Sequence, residues 1–329
     1  MADGSSEGTG LKAMAATRAP KFGHFIVEFA TPGIGHILKS AGCDFVLFDL
    51  EHSGFGFETV KSAIRYFEAA QVPVIVRVPS KEYHHIARAM DMGAEGLMVP
   101  MVGSAEEARQ IVHSMKYHPQ GGRGVALQVA HDRYRPGAVA DKFTATNART
   151  TLFCQIETAD GVKNCEEIAA VDGVDCLWVG HFDLSVGLGI PGEFEHPEFK
   201  AAIDRTVKAA RKHGKAMGRL VPTVEAGIAL YDVGFDFICY SGDVWVLHNA
   251  LAEAIGKLRE GTKASAAAHK AAATKAGSKV AAPAKAAPKA AAKTPAKSAA
   301  KTAAAQAEPA PAKTPAKAAK VPAKRGTRT

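Results

Sequence analysis

From residue 22 to residue 260, short apolar runs alternate with longer stretches of helical periodicity. The runs read GHFIVEF (23–29), DFVLFDL (44–50), PVIVRV (73–78), GLMVPM (96–101), TLFCQIE (151–157), DCLWVG (175–180), KAMGRL (215–220) and FDFICY (235–240). Helical spacing covers 56–70, 81–92, 104–116, 160–170, 197–213, 223–233 and 243–258, and several runs follow a helix-ending glycine, as in AGCDF and VGFDF. Strands that are apolar on both faces and alternate with helices are parallel βα units. Eight such units in roughly 240 residues are the count and length of a TIM barrel. A doubly wound open sheet would place a glycine-rich phosphate loop after its first strand, and ATPGIGH (30–36) lacks the G-x-G-x-x-G spacing. The expected fold is therefore α/β, a TIM (β/α)8 barrel. The connection 102–150 exceeds the rest, and long loops after barrel strands commonly wall an active site.

Composition divides the chain into three segments: a flexible leader (1–21), the barrel (22–261) and a disordered Lys/Ala/Pro-rich tail (262–329). The tail carries 15 of the 41 basic side chains and one of the 33 acidic ones, so the overall +8 hides an acidic body. It offers almost nothing large to bury, and its prolines interrupt any helix that Ala and Lys favour. Such a polycation is expected to bind nucleic acid or another polyanion weakly and salt-dependently, or simply to be solvated. The five cysteines form no C-x-x-C pair, and no apolar stretch approaches ~20 residues, so a reducing, cytoplasmic location without membrane attachment is expected.

Barrel enzymes work at the C-terminal strand ends. The second run ends in FDLEH, giving Asp49, Glu51 and His52; the third carries Arg77; the fifth ends in Gln155 and Glu157; the sixth leads into GHFDLS with Asp183. Gln155 and Glu157, two apart on a strand, point the same way. Two carboxylates from neighbouring strands repel unless a cation lies between them, and oxygen-only ligands suit Mg²⁺ or Mn²⁺. His52, with Asp49 one turn before it, has the composition of a general base. Each residue also has a plainer use: Arg77 in an ion pair, Glu157 or Asp183 in a cap, His52 on the surface. No lysine stands at a strand's C-terminal end to form a Schiff base, so a metal is the expected electron sink.

FDLEH, PVIVRV, MGAEGLMVPMV, QIET, and VDGVDCLWVGHFDLSVGLGIPG followed by HPEF resemble, in order and with few gaps over about 22–258, the pyruvate-forming class II aldolases of the aldolase/citrate lyase family, typified by 4-hydroxy-2-oxoheptanedioate aldolase. The resemblance implies reversible aldol cleavage of a 4-hydroxy-2-oxoacid to pyruvate and an aldehyde with Mg²⁺, Mn²⁺ or Co²⁺. It matches Glu157 and Asp183 to the metal ligands, Arg77 to the arginine at the enolate oxygen, and His52 with Asp49 to the base. Gln155 matches a pyruvate-pocket residue, and the backbone N–H groups of Phe182 and Asp183 match the cradle for the substrate carboxylate. It further implies a homo-hexamer built from dimers, with exchange of the last helix. The family usually reads Gly-Pro-Ala-Asp-Leu-Ser where this chain has Gly180-His181-Phe182-Asp183-Leu184-Ser185, so two bulky side chains flank the acid. Lyases for sugar-derived 2-keto-3-deoxy acids or malyl/citryl thioesters share the barrel, and a nucleic-acid-binding protein acting through its tail is the non-enzymatic alternative.

Overall fold

The computed structural model describes residues 10–277. Eight parallel strands, β1 (Lys21–Ile26), β2 (Phe45–Asp49), β3 (Val74–Arg77), β4 (Gly96–Val99), β5 (Thr151–Ile156), β6 (Val174–Val179), β7 (Ala216–Val221) and β8 (Phe237–Gly242), close into a barrel in sequence order. The helices are α1 (Leu11–Ala15), α2 (Ile34–Ser40), α3 (Phe57–Ala69), α4 (Tyr83–Asp91), α5 (Ala105–Met115), α6 (Val139–Arg149), α7 (Ala159–Lys163), α8 (Cys165–Ala169), α9 (His181–Gly187), α10 (Pro197–Lys212), α11 (Val224–Val233) and α12 (Asp243–Gly277). This is the expected TIM barrel. Helix α6 lies in the long connection, beyond the helical spacing that the sequence showed at 104–116.

The twofold repeat of each strand sorts the apolar runs into two cores. Phe45, Leu47, Ile75, Met98, Phe153, Trp178 and Phe237 fill the barrel axis. Val46, Phe48, Val76, Leu97, Cys154, Ile156, Leu177 and Val179 face outward and pack with buried helix side chains. The Phe237 ring meets Phe45 and Phe153 edge-on at 5.2 and 5.3 Å. Each such ring, fully withdrawn from water, contributes about 1.5–3 kcal/mol. The filled axis leaves only the strand ends for chemistry.

The N-terminal end of the barrel is closed by residues expected to form a flexible leader. Leu11 and Ala15 of α1 join the axial core, and Gly96 gives Leu11 its space. Lys12 pairs with Asp175 and Arg18 with Asp236, at 2.7 and 2.6 Å. At the other end of the barrel sequence, α12 runs past the expected boundary at 261 to Gly277. The remainder of the predicted tail, 278–329, lies outside the described residues, as do residues 1–9. Among the described residues no helix is long and apolar enough to cross a membrane.

Candidate active site

The alternation that fills the axis with rings also sets what comes above them. Continuing inward from Leu47, Ile75 and Phe153 are Asp49, Arg77 and Gln155. Register pairs Asp49 with Arg77, so acid and base emerge side by side. Asp49, fully buried, accepts from Arg77 Nε at 2.6 Å and Nη2 at 2.8 Å. It also accepts from the backbone N–H groups of Glu51 and His52, both at 3.0 Å. Burial works against the Arg77 charge, but the bonds to Asp49 and the fields of Glu51 and Glu157 outweigh it and raise its pKa.

The expected Asp49–His52 pair is not formed through the imidazole. Asp49 has spent its oxygens on Arg77 and on two backbone donors. The carboxylate nearest the ring is Glu51, whose Oε2 stands 3.7 Å from His52 Nε2 and 3.3 Å from Arg77 Nη1. Burial pushes the Glu51 pKa up, against the pull of Arg77 and His52. The His52 side chain is 63% exposed and free to meet a substrate. Sequence spacing suggested Asp49 because a turn brings positions 49 and 52 together. Geometry at the strand end then commits Asp49 to Arg77 and leaves Glu51 beside the imidazole.

Glu157 follows β5 and is almost wholly buried. Its Oε1 accepts from the Met101 N–H at 2.6 Å, and Gln155 Nε2 donates to its Oε2. Burial pushes its pKa up to about 7, with the negative fields of Glu51 and Asp183 adding to the shift and the Met101 N–H opposing it. Gln155 Oε1 is buried without a hydrogen-bond partner. Asp183 lies in the first turn of α9 and is exposed. Among the described residues no three His, Cys, Asp or Glu side chains form a ready-made cage. The donor set is two carboxylates and oxygen-only, which fits a hard divalent ion that keeps open positions for water or substrate. A carboxylate held near neutrality by burial and like charge also fits, since a cation between such acids removes the penalty.

Two supports of Glu157 carry no side-chain signal in the sequence. Met101, at the end of the β4 run, has φ 57°, a left-handed turn that aims its N–H at the carboxylate. A Cβ on Gly180 would stand 2.8 Å from Gln155 Nε2 and collide with the Glu157 carboxylate, so β6 passes close only because this residue is glycine. Beside it, His181 is buried against Phe182 and Phe194, at 4.5 and 5.2 Å between ring centroids. Burial, aided by the field of Arg219, pushes its pKa down to about 3 and keeps the ring neutral. His181 is therefore part of a packed wall.

A closed barrel with acids, a buried arginine and a histidine gathered at its C-terminal rim has the architecture of an enzyme, here of the aldolase and lyase class. Residues 23–250 match the HpcH/HpaI aldolase/citrate lyase family, and the chain belongs to that family. It is 38% identical over 232 residues to a 5-keto-4-deoxy-D-glucarate aldolase of Klebsiella pneumoniae subsp. pneumoniae, covering 69% of this chain and 90% of that one. It is 36% identical over 231 residues to a hydroxypyruvate/pyruvate aldolase of Chromohalobacter salexigens, covering 70% and 91%. Among solved structures, an HpcH/HpaI aldolase from Desulfitobacterium hafniense superposes with a TM-score of 0.72 at 31% identity, covering 76% of this chain and 97% of the other.

Proposed function

We propose that the protein is a divalent-metal-dependent aldolase that reversibly splits a 4-hydroxy-2-oxoacid into pyruvate and an aldehyde. The observation that carries this reading is Glu157, a buried carboxyl pushed to about 7 beside the orphaned Gln155 Oε1, with the field of Asp183 adding to the shift. Counted from its keto end, the 5-keto-4-deoxy-D-glucarate of one relative's name has the same 2-oxo, 4-hydroxy arrangement as 4-hydroxy-2-oxoheptanedioate.

Glu157 and Asp183 would hold Mg²⁺, Mn²⁺ or Co²⁺. Bound there, the ion supplies Lewis-acid polarisation of the 2-oxo group. Arg77, locked by two bonds to Asp49, presents Nη1 as a fixed donor to the oxygen on which charge develops. Donors preorganised in this way need no rearrangement during the reaction. The N–H groups of Phe182 and Asp183, in the first turn of α9, receive the substrate carboxylate. His52, with Glu51 beside it, takes the proton from the 4-hydroxyl. The C3–C4 bond then breaks, its electron pair remains on the three-carbon fragment as pyruvate enolate, and C4 leaves as the aldehyde carbonyl.

A chelator-treated sample given a 4-hydroxy-2-oxoacid should be inactive and recover with Mg²⁺, Mn²⁺ or Co²⁺. Full turnover in the treated sample would remove the metal from the reading. The protein is further read as a homo-oligomer, a hexamer by resemblance. Leu247, Leu251, Ile255 and Leu258 of α12 are exposed at helical spacing, and α11 exposes Val224, Ile228 and Tyr231. Contact between copies through these two helices would cover both faces. A monomer by light scattering at micromolar concentration contradicts this.

A further inference from the structure

The rim is chemically divided. Around β2 and β3 it is charged, with Asp49, Glu51, His52 and Arg77. Around β7, β8 and β1 it presents the apolar side chains Leu220, Phe25 and Trp245, with Asp243 turned into backbone bonds. Leu220 is the last β7 side chain packed against the axial core, and Phe25 of β1 belongs to that core. Trp245, in the first turn of α12, stacks on Phe25 with centroids 5.9 Å apart and planes 24° apart. Its ring fills the space above Gly242, where a Cβ would meet indole carbon at 2.7 Å and Phe25 at 3.3 Å. The bare glycine is thus the seat of the indole. Asp243 fixes that seat by accepting from the N–H groups of Val27, Glu28 and Phe29 at 3.2, 3.0 and 2.7 Å.

Phe25 is also the ring under Arg77, whose guanidinium lies 5.3 Å from its centroid. One phenyl ring therefore touches both the proposed enolate-binding cation and the indole. Arg77 and Trp245 thus share one ring at the rim, and Trp245 remains 45% exposed. On the far side of β7, Phe182 offers a second ring, 62% exposed, braced by Phe194 at 5.2 Å. Two cations of this half of the molecule are committed or turned away. Lys81 is bound to Glu107 and to the Met101 carbonyl, and Arg219 lies over the rings of Phe194 and Phe199.

We propose that Trp245, with Leu220 and Phe182 at the same end of the barrel, is the surface that receives the aldehyde half of the substrate. The preferred aldehyde is then one bearing an aromatic or aliphatic group, not a second carboxylate or a polyhydroxylated chain. This rests on the aldolase reading and narrows it, away from the succinic semialdehyde that a seven-carbon diacid would release. An indole face accepts apolar groups by area and planar groups by stacking. It gives a carboxylate no partner to replace its lost water.

The test is aldol addition of pyruvate, with Mg²⁺, to benzaldehyde, butanal, succinic semialdehyde and glyceraldehyde. The quantity read is the ratio of kcat/KM values between aldehydes, which does not depend on the fraction of active protein. Wild type should favour benzaldehyde and butanal by tenfold or more. Trp245→Ala should cut that preference about tenfold, and Trp245→Phe, which keeps a ring, should retain most of it. A wild-type preference for succinic semialdehyde, or an Ala variant with an unchanged ratio, overturns the proposal. Exchange of the pyruvate methyl protons with deuterated solvent by wild type needs no aldehyde and reports the aldolase reading separately. Exchange with the wrong aldehyde preference removes only the assignment to Trp245, whereas no exchange removes both.

Discussion

The two ends of the barrel treat buried charge in opposite ways. At the N-terminal end the charges are satisfied: Lys12 pairs with Asp175, Arg18 with Asp236, and buried Lys21 donates to the Thr17 carbonyl, all sealed by Leu11 and Ala15. At the C-terminal rim Asp49 and Arg77 are matched, but their neighbours are not. Glu157 is pushed to about 7, Gln155 Oε1 has no partner, and His52 is open to water. The base is built to be stable. The rim tolerates unsatisfied groups because something else is meant to satisfy them, as functional sites commonly do.

The largest effect that would test this division is at Arg77. Arg77→Lys keeps a cation for Asp49 but loses the two-pronged fixation, and turnover should fall by on the order of 10² to 10³. A variant within a few-fold of wild type would take Arg77 out of the chemistry. Arg77→Ala is the poorer probe, since stranding the buried Asp49 costs about 3–5 kcal/mol of stability. At the base the expected pattern reverses. Leu11→Ala should lower stability by about 2–5 kcal/mol in denaturant while leaving KM unchanged. A raised KM there would show that the ends are not independent.

Acidity sharpens the contrast further. In the metal-free fold Glu157 keeps its proton up to about pH 7, whereas the unfolded chain gives it up near the usual carboxyl value. The fold therefore binds the extra proton in that window, and metal-free stability should fall by a few kcal/mol as pH rises through it. Added Mg²⁺ should raise Tm more at pH 8 than at pH 5.5, and Glu157→Gln should abolish the difference. Equal shifts at both values would detach the metal from Glu157. The smallest effect belongs to neither end. Lys208→Ala, which removes the exposed pair with Asp204, should change stability by less than about 0.5 kcal/mol and activity not at all.

What the sequence revealed follows the same division. All eight strands were legible, because strands buried on both faces show as unbroken apolar runs. The rim acids, Arg77 and His52 stood out because charge ends those runs. Helix α1 was not legible: five residues, only two of which are buried, carry no period until a barrel floor receives Leu11 and Ala15. Glu51 was underrated because sequence distance cannot say which of two neighbouring carboxylates turns inward. Met101 contributes a backbone N–H and Gly180 contributes empty space, and neither has a side-chain signature. The aromatic seat at Gly242 and Trp245 was invisible for the same reason, since a glycine and an indole three positions apart meet only through the turn into α12.

Glu157 and Asp183 stand on different mounts. The first is clamped at a strand end by a backbone donor and an amide; the second rides on a seven-residue helix, in water. An ion held between them would have one rigid jaw and one compliant jaw, and could be swapped for another of slightly different radius without disturbing the floor beneath it. Such a vice would show itself as broad tolerance among divalent ions and fast exchange of the ion, with the strand-side oxygen as the point that never moves.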